Sequence, residues 1–242
     1  MIELKNVKKK FQDKEVLRGI STVFETGKIN LVIGASGHGK SVLMRSMVGL
    51  IDIDEGSIVY DERVLDFENY DQTREIRRDI GMLFQGSALF NSSSVEDNVE
   101  FPLKMFTTMT REERLDRVNF CLNQVHLENV NKKFPSEISG GMKKRVGIAR
   151  AIALNIKYLF CDEPNSGLDP ITSRVIDNLI KEITEKFEIT TIINTHDMKT
   201  VFDIGDNIVF IYNGSKWWEG NKSDVRKSNN NELQEFLTAS YI

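Results

Sequence analysis

The stretch Gly34-Ala35-Ser36-Gly37-His38-Gly39-Lys40-Ser41 constrains this chain more than any other. Two glycines separated by four residues, then Lys and Ser, form the pattern of a phosphate-binding loop. Before it stands INLVI (29–33), a short apolar run rich in β-branched side chains. After it, SVLMRSMVGLI repeats apolar residues at helical spacing. A buried strand, a tight loop and a helix are therefore predicted in that order, and each residue type has a task. Glycines let the backbone curl until its N–H groups face phosphate oxygens, and the helix start adds partial positive charge. Lys40 would reach the β- and γ-phosphates, and the Ser41 hydroxyl would ligate Mg2+. Ala35, Ser36 and Val42 complete the expected nucleotide-binding segment, while His38 fills a variable slot and is expected to face solvent.

Two further runs read as buried strands. Residues 158–161, YLFC, end in the acidic pair Asp162–Glu163, and residues 190–195, TTIINT, end at His196. Ligands of open α/β sheets collect at this carboxyl edge. Asp162 there would hold the metal, mostly through its water shell. Glu163, one residue beyond, would polarise the attacking water as general base.

Strands alternating with helical segments predict an α/β fold with a parallel-sheet core. The N-terminal segments 2–7, 16–24 and 56–65 differ, reading as strands with short polar turns and hence an antiparallel β subdomain. From about residue 86 to 155 the pattern is helical, an inserted α-helical subdomain. Within it, Thr110 and Glu113 have capping-box spacing, and Leu115, Val118, Cys121, Leu122 and Val125 form one apolar stripe. NIVFIY and SKWWEG flank Asn213–Gly214, a hairpin signal because both turn positions favour φ > 0. Trp217 and Trp218 are expected to pack in that hairpin. The tail, 221–242, is polar until ELQEFLTASYI, where Leu233, Phe236 and Leu237 can share a helical face. It is expected to dock on a second copy of the chain.

The charge balance narrows the partners. Net charge is −4, from 32 Lys+Arg and 36 Asp+Glu, so no basic excess speaks for nucleic acid. No apolar run approaches the ~20 residues of a membrane helix, and MIELKNVKKKF does not read as a secretory signal. Any membrane role is expected to come through a partner. Cys121 and Cys161 sit in apolar surroundings and read as free thiols of a reducing compartment.

Three more elements sharpen the reading. Ile138-Ser139-Gly140-Gly141-Met142 precedes KKRVGIARAIAL, placing a serine and two glycines at a second helix start, another anion site. Ser166-Gly167-Leu168-Asp169 follows the acidic pair. Gln85 closes the strand-like IGMLFQ, as His196 closes TTIINTH. Together these resemble the ATP-binding-cassette (ABC) transporter family, a P-loop NTPase fold, over about residues 1–220. The resemblance implies an ATPase whose cofactors are ATP and Mg2+ and whose homodimer sandwiches two nucleotides. Ser139, Gly140, Gly141 and Met142 of one copy would then face the phosphate loop of the other. Gln85 would touch Mg2+ and sense it for an integral-membrane permease, His196 would bind the γ-phosphate, and Phe11 would stack on adenine. Ser166, Gly167, Leu168 and Asp169 would couple the two sites. The protein would lie on the cytoplasmic face of the plasma membrane, as a peripheral subunit.

SGGM followed by KKRVGIARA, with MLFQGSALFNSSSVEDNVEFPL, is similar to the ATPases of phospholipid-trafficking transporters that work with MCE-type lipid-binding proteins. Phospholipid is the cargo this implies. The alternatives are an importer of another small solute, such as an amino acid, and a non-transport ABC ATPase. The segment from Gln85 to Pro102 is expected to floor the permease groove, with Leu89 and Phe90 as anchors and Glu96 and Asp97 as its rim.

Overall fold

Neighbouring residues of the central strands face opposite ways, and this alternation divides the interior into two cores. The computed structural model describes residues 1–239. Strands β1 (Ile2–Phe11), β2 (Lys14–Phe24), β4 (Glu55–Tyr60) and β5 (Arg63–Val64) form an antiparallel sheet in the order β2-β1-β4-β5. The second sheet takes β3 (Ile29–Ile33), β6 (Ile80–Leu83), β7 (Tyr158–Asp162), β8 (Thr190–Asn194), β9 (Asn207–Tyr212) and β10 (Ser215–Gly220), ordered β10-β9-β3-β8-β7-β6. Its pairings are parallel except for the β9–β10 hairpin. That hairpin turns on Asn213 and Gly214, with φ of 48° and 80°, the backbone the dipeptide predicts.

Leu31, Leu159, Cys161 and Ile193 enter the larger core. Val32, Tyr158, Phe160 and Ile192, their immediate neighbours, enter the smaller one shared with the antiparallel sheet. Helices α1 (Lys40–Met47) and α2 (Tyr70–Arg78) serve the smaller core through Leu43, Met44, Met47 and Ile76. The helical region holds α3 (Val95–Phe106), α4 (Arg111–Gln124) and α5 (Gly140–Ala151), followed after β7 by α6 (Pro170–Phe187) and after β8 by α7 (Met198–Ile204). At the start of α4 the Thr110 N–H donates to Glu113 Oε2 (2.6 Å) and the Glu113 N–H to Thr110 Oγ1 (3.3 Å), a closed capping box. Val118, Cys121, Leu122 and Val125 are buried as the stripe predicts, but Leu115 is 38% exposed. It stands near the N-terminal end of α4, three residues before Val118, the first buried residue of the helix. Both cysteines are buried and free. Burial pushes the Cys121 thiol up to about 11, so it is inert as a nucleophile.

The tail corrects its expectation. Helices α8 (Lys222–Val225) and α9 (Asn231–Ala239) fold back on their own chain, where Val225, Leu233 and Leu237 are buried in the larger core. The Phe236 ring lies 5.5 Å from that of Phe210 on β9. The apolar face predicted to cover a second copy is already used at home.

Candidate functional site

The phosphate-loop pattern sits where the sequence places it, between β3 and α1, and the packing around it explains its first glycine. Gly34 has φ +146°, and a Cβ there would stand 2.3 Å from the Ile211 carbonyl oxygen of β9. No other residue fits. The loop ends at Gly39, with φ 101°, and no side chain caps α1. Lys40 is buried and points back into the loop, its Nζ donating to the Gly34 and Ala35 carbonyls at 2.7 and 3.1 Å. Burial lowers its pKa, opposed by the charges of Glu163 and Asp162. A partly desolvated ammonium held only by carbonyls can exchange them for a more strongly attracting phosphate oxygen.

His38 does not simply face solvent. Its ring stands edge-on to Tyr212 with centroids 5.0 Å apart, and its Nδ1 accepts from the Asn213 N–H at 3.4 Å. The Gly214 N–H donates to the His38 carbonyl at 3.2 Å, so the β9–β10 hairpin holds the loop from outside.

A cleft of about 420 Å3 opens beside the loop, lined by Lys40, Ser41 and Val42 together with Gln85, Asp162, Glu163 and His196. Three strand ends deliver these groups: Gln85 follows β6, Asp162 ends β7 and His196 follows β8. Asn194 Nδ2 donates to Asp162 Oδ1 at 2.6 Å and to Ser41 Oγ at 3.4 Å. His196 Nδ1 donates to Glu163 Oε1 at 2.8 Å. Glu163 itself adopts φ 49°, an uncommon backbone for a non-glycine residue, of the kind that gathers at functional sites. Gln85 Nε2 reaches Ser166 Oγ at 3.3 Å. The buried Lys144 of α5 donates to the Gln85 carbonyl and, at 3.4 Å, to that of Glu163. Burial lowers its pKa.

The second helix start is elsewhere. Ser139 caps α5 by accepting from the Met142 N–H at 3.3 Å, and Ser139 and Gly140 are exposed. None of Ser139, Gly140, Gly141 and Met142 lines the cleft. Instead the signature packs beside the Asp169 segment. A Cβ on Gly141 would meet Thr172 Cγ2 at 2.5 Å, and one on Gly140 would meet Leu168 Cδ2 at 3.6 Å. Asp169 caps α6, accepting from the Ile171 and Thr172 N–H groups at 3.0 Å each. Hydrogen bonds from Thr172 hold its carboxyl below the ordinary carboxylate value. Gly167 turns between them with φ 78°.

Phe11 is 45% exposed and outside the cleft lining, with Lys9 Nζ 5.6 Å over its ring. Its cross-strand partner Lys14 does line the cleft, as does Val16. Lys14, Val16, Asn194 and Lys144 were not singled out by the sequence. Only Asn194 left a signal, standing two residues before His196 at the end of an apolar strand. Leu89 packs against the larger core, while Phe90 is 43% exposed and lines an apolar groove of about 330 Å3 with Phe84, Phe101 and Phe106. Glu96 and Asp97 do not rim that groove. Glu96 pairs with Lys132 at 2.9 Å, and Asp97 Oδ2 accepts from the Ser94 hydroxyl at 2.5 Å.

The family model for ABC transporters matches residues 17–166. The methionine import ATP-binding protein MetN of Clostridium tetani is 42% identical over 87% of this chain and 66% of its own length. The "Probable ribonucleotide transport ATP-binding protein mkl" of Mycobacterium leprae is 34% identical over 100% of this chain and 70% of its own. This chain thus spans about two thirds of the length of such curated relatives. The solved dimeric structure of MJ0796, a bacterial ABC transporter cassette, is 31% identical with a TM-score of 0.83, covering 92% of this chain and 99% of that one. The chain belongs to the ABC transporter family, as an ATP-binding, ATP-hydrolysing subunit.

Proposed function

We propose that two copies of this ATPase close face to face, each phosphate loop capped by the Ser139–Gly141 helix start of the other, and that hydrolysis drives solute import through a permease. One observation carries the reading. A single chain presents two helix starts suited to phosphate, one inside a cleft with Lys40 and one exposed outside it. One nucleotide bound in the cleft leaves the second start without an anion unless another copy supplies it. The dimeric state of MJ0796 supports the arrangement.

In this reading the triphosphate lies along Gly34–Ser41, with Lys40 turned onto its β- and γ-phosphates. The cleft also fits Mg2+. Ser41 Oγ, Gln85 Oε1 and Asp162 are hard oxygen donors, and Asn194 Oδ1 beside them is buried without a hydrogen-bond partner among the described residues. Mg2+ takes few protein ligands and completes its shell with phosphate and water. Mg2+ would neutralise charge developing on the phosphates. Glu163 takes the proton of the attacking water. His196 orients that carboxylate through Nδ1–H, and with a proton on both ring nitrogens it donates Nε2–H to the γ-phosphate. Asp169, at the seam between signature and α6, couples the two sites.

Among the described residues no helix is long and apolar enough to cross a membrane. A permease helix seated in the Phe84–Phe90–Phe101–Phe106 groove, one residue from Gln85, would hold the protein peripherally on the cytoplasmic face. The names of MetN and mkl favour a small solute, such as an amino acid, over the phospholipid that the SGGM-KKR signature suggests, and neither names an MCE-type partner. Lipid remains a second reading on that signature alone. Reconstituting the chain with its co-purified permease decides: ATP-driven uptake of radiolabelled amino acid supports the first reading, whereas movement of fluorescent phospholipid without amino-acid uptake overturns it.

A further inference from the structure

Three buried side chains that the hydrolysis scheme leaves unused form a closed triangle. Asn165 Nδ2 donates to Asp177 Oδ1 at 2.8 Å and to Thr200 Oγ1 at 2.9 Å, and the Thr200 hydroxyl donates to Asp177 Oδ2 at 2.9 Å. Their exposures are 9%, 3% and 0% for Asn165, Asp177 and Thr200. A carboxylate this deep costs free energy that apolar packing would avoid. Its presence calls for a task beyond filling space.

The positions of the three residues indicate the task. Asn165 stands two residues after Glu163, in a turn tightened by the Ser166 N–H on the Glu163 carbonyl (3.2 Å) and the Leu168 N–H on the Asn165 carbonyl (3.1 Å). Thr200 stands four residues after His196, in a helix whose start is fixed by Asp197 accepting from the Lys199 N–H at 2.8 Å. Asp177 comes from a third element, α6, which opens at Asp169. The Glu163 turn and the His196 helix are thus each one short segment from the same carboxylate. The Asn165 Oδ1 has no hydrogen bond among the described residues. Its amide is anchored through Nδ2 alone, and losing Asp177 would leave Thr200 as the one partner.

We propose that Asp177 is a positioning residue for hydrolysis: it clamps the Glu163 turn to the start of α7 and so holds Glu163 and His196 in register. The proposal rests on the reading of Glu163 and His196 as the groups that act on water and γ-phosphate. Asp177 does not line the cleft, so its loss acts on rate and spares nucleotide binding.

The test uses steady-state ATP hydrolysis and equilibrium titration with a fluorescent ATP analogue on the full chain. Asp177→Ala should lower kcat about tenfold or more, since small misplacements of reacting groups are costly, with KM and analogue affinity held within about twofold. Thr200→Val, matched in shape, should lower kcat in the same direction by a smaller factor. Asp177→Asn, which keeps an acceptor for Asn165, should regain much of the loss. Parental kcat in folded Asp177→Ala and Thr200→Val would overturn the clamp, as would a raised KM at unchanged kcat. Should Asp177→Ala not fold, Thr200→Val decides by the same criteria. Glu163→Gln and His196→Ala run alongside. If those two hydrolyse like the parent, the catalytic reading itself has failed. If they are inactive while the Asp177→Ala and Thr200→Val variants keep the parental kcat, the clamp alone has failed.

Discussion

The helix starts at Gly39 and Ser139 are built from similar residues to opposite ends. The first is made by backbone: Gly34 and Gly39 sit at φ +146° and +101°, Lys40 is folded inward, and the β9–β10 hairpin braces the loop from behind. The second is an ordinary capped helix, with a serine side chain on the Met142 N–H and glycines in helical backbone. Its glycines are small because of what lies beside them, Thr172 and Leu168, not because the chain must turn. One start carries its own cation and its own cleft. The other presents a bare surface, which is useful only if something is brought to it. Self-sufficiency at one end and incompleteness at the other is how a single chain can require a second copy.

The sharpest break of this contrast is Glu163→Gln, which should lower kcat by about 10²–10⁴-fold, the usual worth of a general base. Analogue binding should stay near parental, and comparable hydrolysis in the two proteins would sink the assignment. Lys40→Ala should fail earlier, weakening ATP binding by about ten- to a hundredfold, as loss of a charge-assisted hydrogen bond does. Direct titration separates the two failures. Ser139→Arg should leave binding by the isolated monomer intact yet block hydrolysis, because in the proposed dimer the added bulk would sit at the partner's nucleotide. Mixing it with Lys40→Ala subunits should restore activity at one composite site. Mixtures as dead as either parent would argue that each chain hydrolyses alone. A milder form of the same contrast is Gly34→Ala against Gly140→Ala. The former meets the Ile211 carbonyl and should cost nucleotide binding and stability together, whereas the latter meets only ordinary contact and should spare both.

The smallest expected effect concerns Asp177, whose carboxyl burial pushes up to about 6 from an ordinary 3.8. The hydrogen bonds from Asn165 and Thr200 oppose the rise, Asp197 and Asp203 add to it, and Arg174 and Lys199 line the same recess. Between pH 3.8 and 6 the folded chain therefore binds the proton more readily than the unfolded chain, and stability falls as pH rises through that window. Asp177→Asn should remove this component, flattening the decline in thermal midpoint from pH 5 to pH 7 by roughly a few degrees. An unchanged slope would show that Asp177 does not titrate there.

What could be read from the sequence was what depends on neighbours along the chain. INLVI before a glycine loop, YLFC before two acids, the Thr110–Glu113 cap and the Asn213–Gly214 turn are each local, and each has its predicted backbone. What escaped depends on residues far apart. The hold of the hairpin on His38, the reach of Lys144 to Gln85 and the Asn194 bridge from Ser41 to Asp162 join different elements. Periodicity carries no information about such meetings. Leu115 fits its stripe by spacing yet is exposed, because a stripe gives a direction and not the length of core beneath it. The tail failed for a related reason: an amphipathic face shows that something must cover it, not which chain does.

The brace between Gly34 and Ile211 has a consequence for how the protein is made. β3 lies between β8 and β9, partners synthesised only after residue 189. As the polypeptide leaves the ribosome, the loop that will cradle phosphate emerges early, without either flanking strand. It can take its final curvature only when the hairpin near residue 214 has emerged, and the larger core closes only with Leu233 and Leu237. Folding of the nucleotide site therefore waits on strands that follow β3 by more than 150 residues. A fragment that stops before the hairpin would carry the whole phosphate-loop motif without the strands and the Ile211 brace that shape it.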